Sequence, residues 1–308
     1  MPPPSLHAHA AQVMRSLLFA PADSDRKLDK AFASGTDAVI IDLEDSVALD
    51  NKPLARERAA RFLMQAGCSA QRPRLIIRVN SLPSGLADAD LDAVVPAAPD
   101  AILLPKSEGA ASVIHLAAKL TAREAIHGLA DGHIRIIAIA TETAAALFRL
   151  GTYAGSSTRL VGLTWGAEDL SADLGATANR DATGQFLEPY RLARTLCLAG
   201  AVAGQIEPID TVYVDFRNEA GLRRETEEAC RDGFTGKMAI HPAQVAIINE
   251  VFTPTAKAVA EADAIVAAFA AAPGVGVVGI NGVMYDMPHL KRAQRVLALA
   301  KASRVRIA

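Results

Sequence analysis

The sequence has few cysteines and no excess of charge of one sign. Cys68, Cys197 and Cys230 are its only cysteines, they lie far apart and they form no CxxC pair. This spacing argues against a disulfide framework and favours reduced thiols in a cytoplasmic protein. Lysine plus arginine number 32 and aspartate plus glutamate 34, which gives a formal net charge of −2. A nearly neutral chain without a basic run lacks the electrostatic signature of a nucleic-acid-binding protein.

Long uninterrupted hydrophobic runs are also lacking. The most apolar segment, 264–280, contains Pro273, Gly274 and Gly276, so it is too short and too broken to cross a bilayer. Residues 1–12 are rich in Pro, Ala and His and lack the basic flank and apolar stretch of a secretory signal. We therefore expect a cytoplasmic protein that has no membrane span and a mobile tail over 1–12.

Common catalytic and nucleotide-binding motifs are missing as well. The chain has no Gly-x-Ser-x-Gly elbow and no P-loop, so nothing indicates an α/β-hydrolase or an NTPase. Gly274, Gly276 and Gly279 do match GxGxxG by spacing. A dinucleotide site needs a strand before that motif and a helix after it, whereas a helix is predicted before it here. We interpret this match as fortuitous.

Short β-branched runs alternate with alanine-rich helical stretches along most of the chain. Their nearly continuous apolar character is typical of strands buried on both faces of a parallel sheet. The predicted strands are 15–19, 38–42, 75–79, 101–104, 134–139, 160–164, 211–213 and 236–240. The helical candidates include 25–34, 109–120, 143–150, 189–203, 218–231 and 242–251. Eight strands that are mostly followed by helices, over roughly 240 residues, predict a (β/α)₈ TIM barrel in the α/β class, with an open doubly wound sheet as the alternative.

The pattern changes after the last predicted strand and its helix. A long helix is expected over 254–271, a glycine-rich turn with a short apolar run over 273–282, and an amphipathic helix over 288–303. Such an extension does not fit inside a closed barrel, so it must pack outside the barrel or against another subunit. The predicted organisation is a tail over 1–12, a barrel over 13–253 and a C-terminal extension over 254–308.

Polar side chains follow several of the predicted strands, where the active site of a parallel barrel lies. They are Asp42, Glu44, Asp45, Arg78, Asn80, Glu142, Asp169 and His241. Glu142 and Asp169 follow consecutive strands, and two carboxylates with open positions suit Mg²⁺ better than Zn²⁺. Alternatively, Glu142 opens a helix and Asp169 caps a turn, and spacing alone does not decide between these readings.

Arg78 closes an otherwise apolar strand. Its guanidinium could bind a substrate carboxylate or a developing oxyanion, or it could pair with the acidic rim through Glu44. His241, beside Pro242, is more typical of a packed histidine before a helix than of a catalytic one. An acidic, arginine-bearing rim suits chemistry at a carbon α to a carbonyl.

Seven segments, in order along the chain, resemble the citrate lyase β-subunit-like family of the HpcH/HpaI aldolase superfamily, which includes malyl-CoA and citramalyl-CoA lyases. They are 15–19 (RSLLF), 33–47 (ending in DLEDSV), 78–80 (RVN), 141–143 (TET), 166–175 (GAEDL to DLG), 236–242 (GKMAIHP) and 282–293 (GVMYDMP to KRA). The chain departs from the family at Pro21-Ala22, where Pro-Gly is frequent.

The resemblance implies a role for each matching residue. It implies Mg²⁺ on Glu142 and Asp169, and Arg78 on the substrate carboxylate or carbonyl oxygen. It also implies that Phe19, Ile240 and His241 line the CoA side of the pocket. From their position after a predicted strand, Asp42, Glu44 and Asp45 are expected to support the site as an acidic rim. Asp286 matches the catalytic aspartate that longer members carry on a C-terminal lid from a neighbouring subunit.

The implied reaction is Mg²⁺-dependent cleavage, or Claisen-type formation, of a 3-hydroxyacyl-CoA such as malyl-CoA or citramalyl-CoA. Its products are acetyl-CoA and an α-keto acid, and the resemblance implies a homotrimer or hexamer. Two alternatives stay open: a citrate lyase β subunit that acts on a carrier-bound citryl thioester, and a non-catalytic barrel that binds a CoA metabolite. The lid aspartate favours the free CoA-ester lyase, because short citrate lyase β subunits lack that lid.

Overall fold

Eight parallel strands form a closed barrel in the computed structural model, which describes residues 14–69 and 71–304. Each strand pairs with its successor, and β1 pairs with β8 to close the ring. This closure confirms the predicted (β/α)₈ barrel and excludes the open sheet. The strands are β1 Ser16–Pro21, β2 Ala38–Asp42, β3 Arg74–Arg78, β4 Ala101–Leu104, β5 Arg135–Ile139, β6 Leu160–Thr164, β7 Glu207–Asp210 and β8 Gly236–Ala239.

Helices fill the connections between the strands and follow the last strand. They are α1 Asp25–Phe32, α2 Lys52–Gly67, α3 Ala87–Val94, α4 Ala110–Ile126, α5 Ala144–Leu147, α6 Glu168–Asp173, α7 Glu188–Ala203, α8 Glu219–Asp232 and α9 Pro242–Val251. The six helical candidates named from the sequence all overlap observed helices, whereas α2, α3 and α6 were not among them.

Branched aliphatic side chains fill the inside of the barrel. The cluster consists of Leu17, Ala38, Ile40, Ile76, Ala101, Leu103, Ile137, Ile139, Ile209 and Met238. Within a strand these residues alternate, as Ile137 and Ile139 do in β5, because successive strand side chains point to opposite faces. Each large member stabilises the fold by about 1.5–3 kcal/mol through burial. Since the interior is packed with apolar groups, polar chemistry is confined to the rim.

Strand β7 lies at Glu207–Asp210, so the predicted strand at 211–213 is wrong. Thr211 and Tyr213 have high strand propensity, whereas the true strand contains Pro208 and two acidic residues. The structure accommodates Asp210 in full burial through an ion pair with Lys237 of β8, with 2.7 Å between the carboxylate Oδ2 and Nζ. Tertiary pairing therefore overrides local propensity here.

A buried polar network surrounds that ion pair between the barrel and the outer helices. Asp210 also accepts a hydrogen bond from the Trp165 indole at 2.8 Å and lies 3.4 Å from Nε of Arg194. Lys237 also lies 3.0 Å from Glu225 of α8 and is fully buried. Burial alone would lower the pKa of Lys237, but the charges of Asp210 and Glu225 outweigh it and hold the pKa above its ordinary value. These residues join β6, β7, β8, α7 and α8 through charge as well as apolar packing.

The C-terminal segment forms a unit of its own over residues 250–304. It contains α10 Ala256–Ala271, strands β9 Val277–Ile280 and β10 Val283–Asp286, and α11 Met287–Arg304. The two predicted helices are confirmed, but the segment expected as a turn with an apolar run forms most of an antiparallel hairpin. Its two-residue loop, Asn281-Gly282, has positive φ at both positions, as a type I′ turn requires.

Two expectations from the sequence concern other parts of the chain. The tail predicted over 1–12 lies outside the described residues. Gly279 of the GxGxxG match lies in strand β9 of the hairpin, which is not the strand–turn–helix setting of a dinucleotide site. Within the described ranges, every helix is too short or too polar to cross a membrane.

Candidate active site at the carboxyl rim of the barrel

The last residues of β2 and β3 form the first contact of the rim. Asp42 and Arg78 are register partners at the ends of these strands. The Arg78 guanidinium donates two hydrogen bonds of 2.7 Å, from Nε to Oδ1 and from Nη2 to Oδ2 of Asp42. Burial alone would raise the pKa of Asp42, but the Arg78 contacts outweigh it and hold this pKa below its ordinary value. This bidentate pair fixes the plane of the guanidinium.

The remaining Arg78 nitrogen faces a second carboxylate. Nη1 lies 3.1 Å from Glu44 Oε2 and 3.8 Å from Asp45 Oδ2, and the guanidinium carbon lies 4.9 Å from the centre of the Phe19 ring. The alternative that Arg78 pairs with the acidic rim therefore holds in this structure. The guanidinium is positioned by Asp42, Glu44 and Phe19.

Glu142 is the more deeply buried of the two predicted metal ligands, Glu142 and Asp169. It lies three residues after β5, and its Oε2 accepts a hydrogen bond from the main-chain N–H of Lys106 at 2.5 Å. Burial, together with the charges of Asp169 and Glu44, raises the pKa of Glu142 to about 8, although the hydrogen bond and charge of Lys106 act to lower it. Without an added cation, this carboxyl group therefore favours its protonated form near neutral pH.

Gly166 makes room for Glu142. A Cβ atom at position 166 would lie 2.9 Å from Cγ of Glu142, closer than real Cβ contacts allow. The Gly166 N–H donates to the Thr141 hydroxyl at 3.1 Å, which ties the segment after β6 to the segment after β5. Packing against Glu142 therefore explains why the first residue of the GAEDL segment is glycine.

Asp169 lies in the first turn of α6 rather than directly at a strand end. A carboxylate in this position is favoured by the positive end of the helix dipole. Its Oδ1 lies 3.2 Å from the Lys106 ammonium, and its charge reaches Glu142. Asp169 thus lies in the first turn of a short helix without capping it through its side chain, and Lys106 links it to Glu142. Its role as a metal ligand stays a prediction.

Lys106 is a residue of the acidic cluster that sequence reasoning missed. It lies two positions after β4, and its Nζ contacts Glu44 Oε1 at 2.8 Å, Asp169 Oδ1 at 3.2 Å and Asp45 Oδ2 at 3.7 Å. Burial alone would lower the pKa of Lys106, but the hydrogen bond and charge of Glu44 outweigh it and raise this pKa above its ordinary value. A polar residue directly after a predicted strand was the available signal.

The loop that carries Lys106 is anchored from below by a buried tyrosine. The Tyr153 hydroxyl donates to the Ser107 carbonyl at 3.0 Å and accepts from the Gly109 N–H at 3.0 Å. Lys106 itself has φ of +50°, an uncommon conformation for a residue with a side chain. The anchored loop holds the main-chain N–H of Lys106 against Glu142.

Ile240 and His241 follow β8 at another part of the rim, and both are exposed. The His241 ring stacks on Phe216, with ring centres 4.8 Å apart, and its Nδ1 accepts from the Ala243 N–H. The side chain of Gln244 accepts hydrogen bonds from the N–H groups of both Ile240 and His241. The contacts of His241 are thus with an exposed aromatic ring and a helix start rather than with the acidic cluster. Phe216 was not predicted.

Asp286 ends strand β10 in the C-terminal unit. Its Oδ1 lies 2.5 Å from Nδ1 of His289, one turn into α11. The hydrogen bond from His289 holds the pKa of Asp286 below its ordinary value. The Tyr285 ring packs edge-on against His289, with centres 5.4 Å apart. Asp286 is therefore an oriented, half-buried carboxylate.

The chemistry of the rim fits a hard divalent cation. Glu142 and Asp169 offer oxygen ligands, and burial of Glu142 leaves a carboxyl group that an added positive charge would stabilise. Among the described residues, no three acidic, histidine or cysteine side chains converge into a complete metal cage. Mg²⁺ typically takes only one or two carboxylates and keeps water or substrate oxygens for its other positions. The residues present therefore fit Mg²⁺ better than a metal that needs a full protein cage.

Two family models match the chain. The model for HpcH/HpaI aldolase/citrate lyase matches residues 15–242, and the model for the C–C bond lyase of the TIM-barrel fold matches residues 185–305.

Three curated relatives are similar over nearly the full chain. The mitochondrial citramalyl-CoA lyase of Rattus norvegicus is 34% identical, over 96% of this chain and 88% of the relative. The citrate lyase subunit beta of Escherichia coli K12 is 34% identical, over 98% of both chains. The (3S)-malyl-CoA thioesterase of Cereibacter sphaeroides KD131 is 36% identical, over 96% of this chain and 97% of the relative.

Solved structures show the same similarity. The CitE protein of Mycobacterium tuberculosis, crystallised with magnesium, acetoacetate and coenzyme A, is 31% identical with a TM-score of 0.76, and the match covers 95% of this chain and 100% of that one. A second structure of that protein, with magnesium and pyruvate, gives a TM-score of 0.70 at 29% identity, over 94% of this chain and 99% of that one.

Proposed function

Because this chain belongs to the HpcH/HpaI aldolase/citrate lyase family, we propose that it is a Mg²⁺-dependent carbon–carbon lyase acting on a coenzyme A thioester. The observation that carries the proposal is the rim cluster, in which Lys106 contacts Glu142, Asp169 and Glu44, and Glu44 in turn contacts the positioned Arg78 guanidinium. The similar protein crystallised with magnesium, acetoacetate and coenzyme A supports both the metal and the substrate class.

The proposed substrate is a 3-hydroxyacyl-CoA such as malyl-CoA or citramalyl-CoA, cleaved to acetyl-CoA and an α-keto acid. Relatives named for citramalyl-CoA and malyl-CoA, each at least 34% identical, support this substrate class. Condensation of the same products is the reverse reaction at the same site.

Glu142 and Asp169 would hold the metal. When bound, Mg²⁺ would supply charge stabilisation for oxygens of the substrate. Arg78 would bind the carboxylate or the carbonyl oxygen of the substrate and stabilise the negative charge that grows as the carbon–carbon bond breaks. Asp42 and Glu44 already fix its guanidinium, so little reorganisation is needed at that moment. Asp45, which lies near both Arg78 and Lys106, would add to this support.

Asp286 would transfer the proton at the methyl carbon of the acetyl group. It would protonate the enolate in the cleavage direction and remove a methyl proton in condensation. We further propose that the C-terminal unit serves as a lid on a neighbouring subunit of a homotrimer or hexamer, which would exclude water from the reaction. Phe19, Ile240 and His241 would line the coenzyme A side, and the protein would act in the cytoplasm.

A substrate screen tests the proposal. Purified protein is incubated with malyl-CoA, methylmalyl-CoA and citramalyl-CoA in Mg²⁺. The acyl-CoA product, which is acetyl-CoA from malyl-CoA or citramalyl-CoA and propionyl-CoA from methylmalyl-CoA, is measured separately from the α-keto acid. We expect both products in equal amounts, their loss in EDTA and their recovery when excess Mg²⁺ is returned. Free coenzyme A without an α-keto acid would instead indicate a thioesterase, the activity for which one 36% identical relative is named.

A citrate lyase β subunit is the second candidate, and the 34% identity to the E. coli subunit over 98% of both chains favours it. Turnover of a carrier-bound citryl thioester, together with inactivity on every free coenzyme A ester, would select this function. Tight binding of coenzyme A esters without any product would instead indicate a non-catalytic binding barrel.

A further inference from the structure

Lys106 occupies the centre of the acidic cluster. Its ammonium lies within 3.7 Å of Glu44, Asp45 and Asp169, and its main-chain N–H binds Glu142. All four carboxyl groups of this part of the rim therefore contact one residue. Asp42, the fifth acidic residue, is already neutralised by its bidentate pair with Arg78.

We propose that the Lys106 ammonium is the resident counter-ion of this cluster and competes with the divalent cation for it. The inference rests on the proposed function, since it concerns the same pair of ligands, Glu142 and Asp169. The ammonium already uses one oxygen of Asp169, the carboxylate that the cation would need. A cation that binds there must therefore displace the ammonium or bind beside its positive charge.

The two ends of Lys106 differ in their freedom to move. Its main chain is held by the hydrogen bond to Glu142 and by the Tyr153 contacts with Ser107 and Gly109. Its side chain is 32% exposed and ends in a point charge on a flexible four-carbon stem. The ammonium can thus turn away from Asp169 toward solvent or substrate while the N–H stays on Glu142.

The role of Lys106 determines whether its replacement strengthens or weakens cation binding. Removing the ammonium leaves the backbone hydrogen bond to Glu142 in place and deletes one positive charge near the cation site. If Lys106 mainly competes, Lys106→Met binds a divalent cation more tightly. If it mainly orders the ligands, the same variant binds the cation more weakly. Methionine has a similar length, and both residues carry a Cβ atom at the positive φ, so the backbone cost is matched.

The test measures cation binding to the substrate-free protein, with Mn²⁺ by electron paramagnetic resonance and Mg²⁺ by calorimetry. We expect Lys106→Met to bind Mn²⁺ roughly tenfold more tightly than the unmodified protein, as the loss of one nearby unit charge in a solvated site implies. Lys106→Arg, which keeps the charge, should stay within about twofold. Lys119→Met, which removes a lysine that pairs with Asp88 away from the rim, is the control and should bind as the unmodified protein does.

Thermal unfolding in EDTA gives a second readout. Lys106→Met should unfold at a lower temperature than the unmodified protein in EDTA, since the carboxylates lose their counter-ion, and added Mg²⁺ should remove this difference in unfolding temperature. Equal or weaker Mn²⁺ binding by a folded Lys106→Met would overturn the inference about Lys106. If the unmodified protein itself binds no Mn²⁺ or Mg²⁺, the proposed function fails first, so the two failures are distinguishable.

Discussion

The main-chain N–H of Lys106 donates a hydrogen bond of 2.5 Å to Glu142, a buried carboxyl group of the rim. This contact joins the loop after β4 to the segment after β5. It positions one oxygen of Glu142, while burial keeps the carboxyl group protonated in the absence of a cation. The relationship makes the rim sensitive to both pH and metal.

Metal-free protein should lose stability as the pH rises toward 8. The pKa of Glu142 is raised by burial from 4.5 to about 8, so between these values the folded protein binds more protons than the unfolded chain. The free energy of unfolding therefore falls as pH rises through this window. Urea unfolding in EDTA at several pH values measures the slope, and Glu142→Gln should flatten it. An unchanged slope in that variant would assign the pH dependence to other groups.

Cation binding should show the opposite pH dependence. Occupation of Glu142 by Mg²⁺ releases its proton, so the apparent affinity should rise by up to about tenfold per pH unit below about pH 8 and level off above it. Calorimetry in two buffers with different ionisation enthalpies measures the released proton. Binding at pH 7 without proton release would contradict the protonated state of Glu142.

Replacement of Gly166 by alanine should displace Glu142. The new Cβ would lie 2.9 Å from Glu142 Cγ, so the side chain must move off its hydrogen bond with Lys106. We expect Mg²⁺ binding to weaken by about tenfold or more, because a ligand held out of place loses its geometry. Gly151→Ala is the control, since a Cβ there has no atom within 4 Å, and it should bind Mg²⁺ normally.

Replacement of Arg78 by lysine should impair turnover although the charge is kept. Lysine cannot reproduce the two parallel hydrogen bonds to Asp42, so the positive charge of the side chain would no longer be fixed in position. We expect kcat/KM to fall about 100-fold, the usual effect of losing one positioned donor to a developing charge. Arg61→Lys, at a half-exposed arginine that pairs with Asp25 on the surface, should change it less than twofold.

Asp286→Asn should abolish turnover and leave cation binding intact. The variant keeps a side chain of the same size at the end of β10 but removes the group that carries the proton. Product formation and Mg²⁺ calorimetry are measured on the same preparation. Turnover that survives in the variant would remove Asp286 from the reaction, and lost Mg²⁺ binding would assign it a different role.

Lys237→Met should destabilise the barrel strongly. The substitution leaves Asp210 and Glu225 without their shared, fully buried partner, and breaking such a pair costs about 3–5 kcal/mol. Chemical denaturation followed by circular dichroism measures the change. Lys257→Met, at a lysine that is 86% exposed and pairs with Glu261 across one helical turn, should stay within about 0.5 kcal/mol of the unmodified protein.

The sequence predicted the strands that consist mainly of apolar residues. β2, β4 and β6 have the predicted bounds, because a strand buried on both faces is apolar along its whole length. β7 was missed because it combines Pro208 with a buried acidic residue whose partner, Lys237, lies 27 positions away. Only the closed sheet brings those two residues together, so no local pattern reveals that strand.

The sequence predicted which strand ends contribute residues to the site, but not all of the residues themselves. Arg78, Glu142 and Asp169 were chosen because they stand at or after strand ends. In the structure Arg78 contacts Glu44, and Lys106 joins Glu44 to Asp169 and Glu142. Lys106 was missed because a lysine after a strand is usually a solvated surface residue, and its contacts with Glu44 and Asp169 span 62 and 63 positions. The three-residue spacing of Asp286 and His289 was visible in the sequence, but their pairing depends on α11 beginning directly after β10.

The closure of β1 onto β8 has a consequence for the order in which the chain folds. β1 is the earliest strand of the ring to leave the ribosome and β8 the latest, so one edge of β1 stays unsatisfied until almost the whole ring has been translated. For most of its synthesis, the nascent chain therefore has an edge of β1 whose backbone N–H and C=O groups lack their partner strand and could pair with another chain. In a circularly permuted protein whose new ends lie in the exposed stretch between α6 and α7, β7 would be made first and β6 last. The last strand pair to form would then be β6 with β7 instead of β1 with β8.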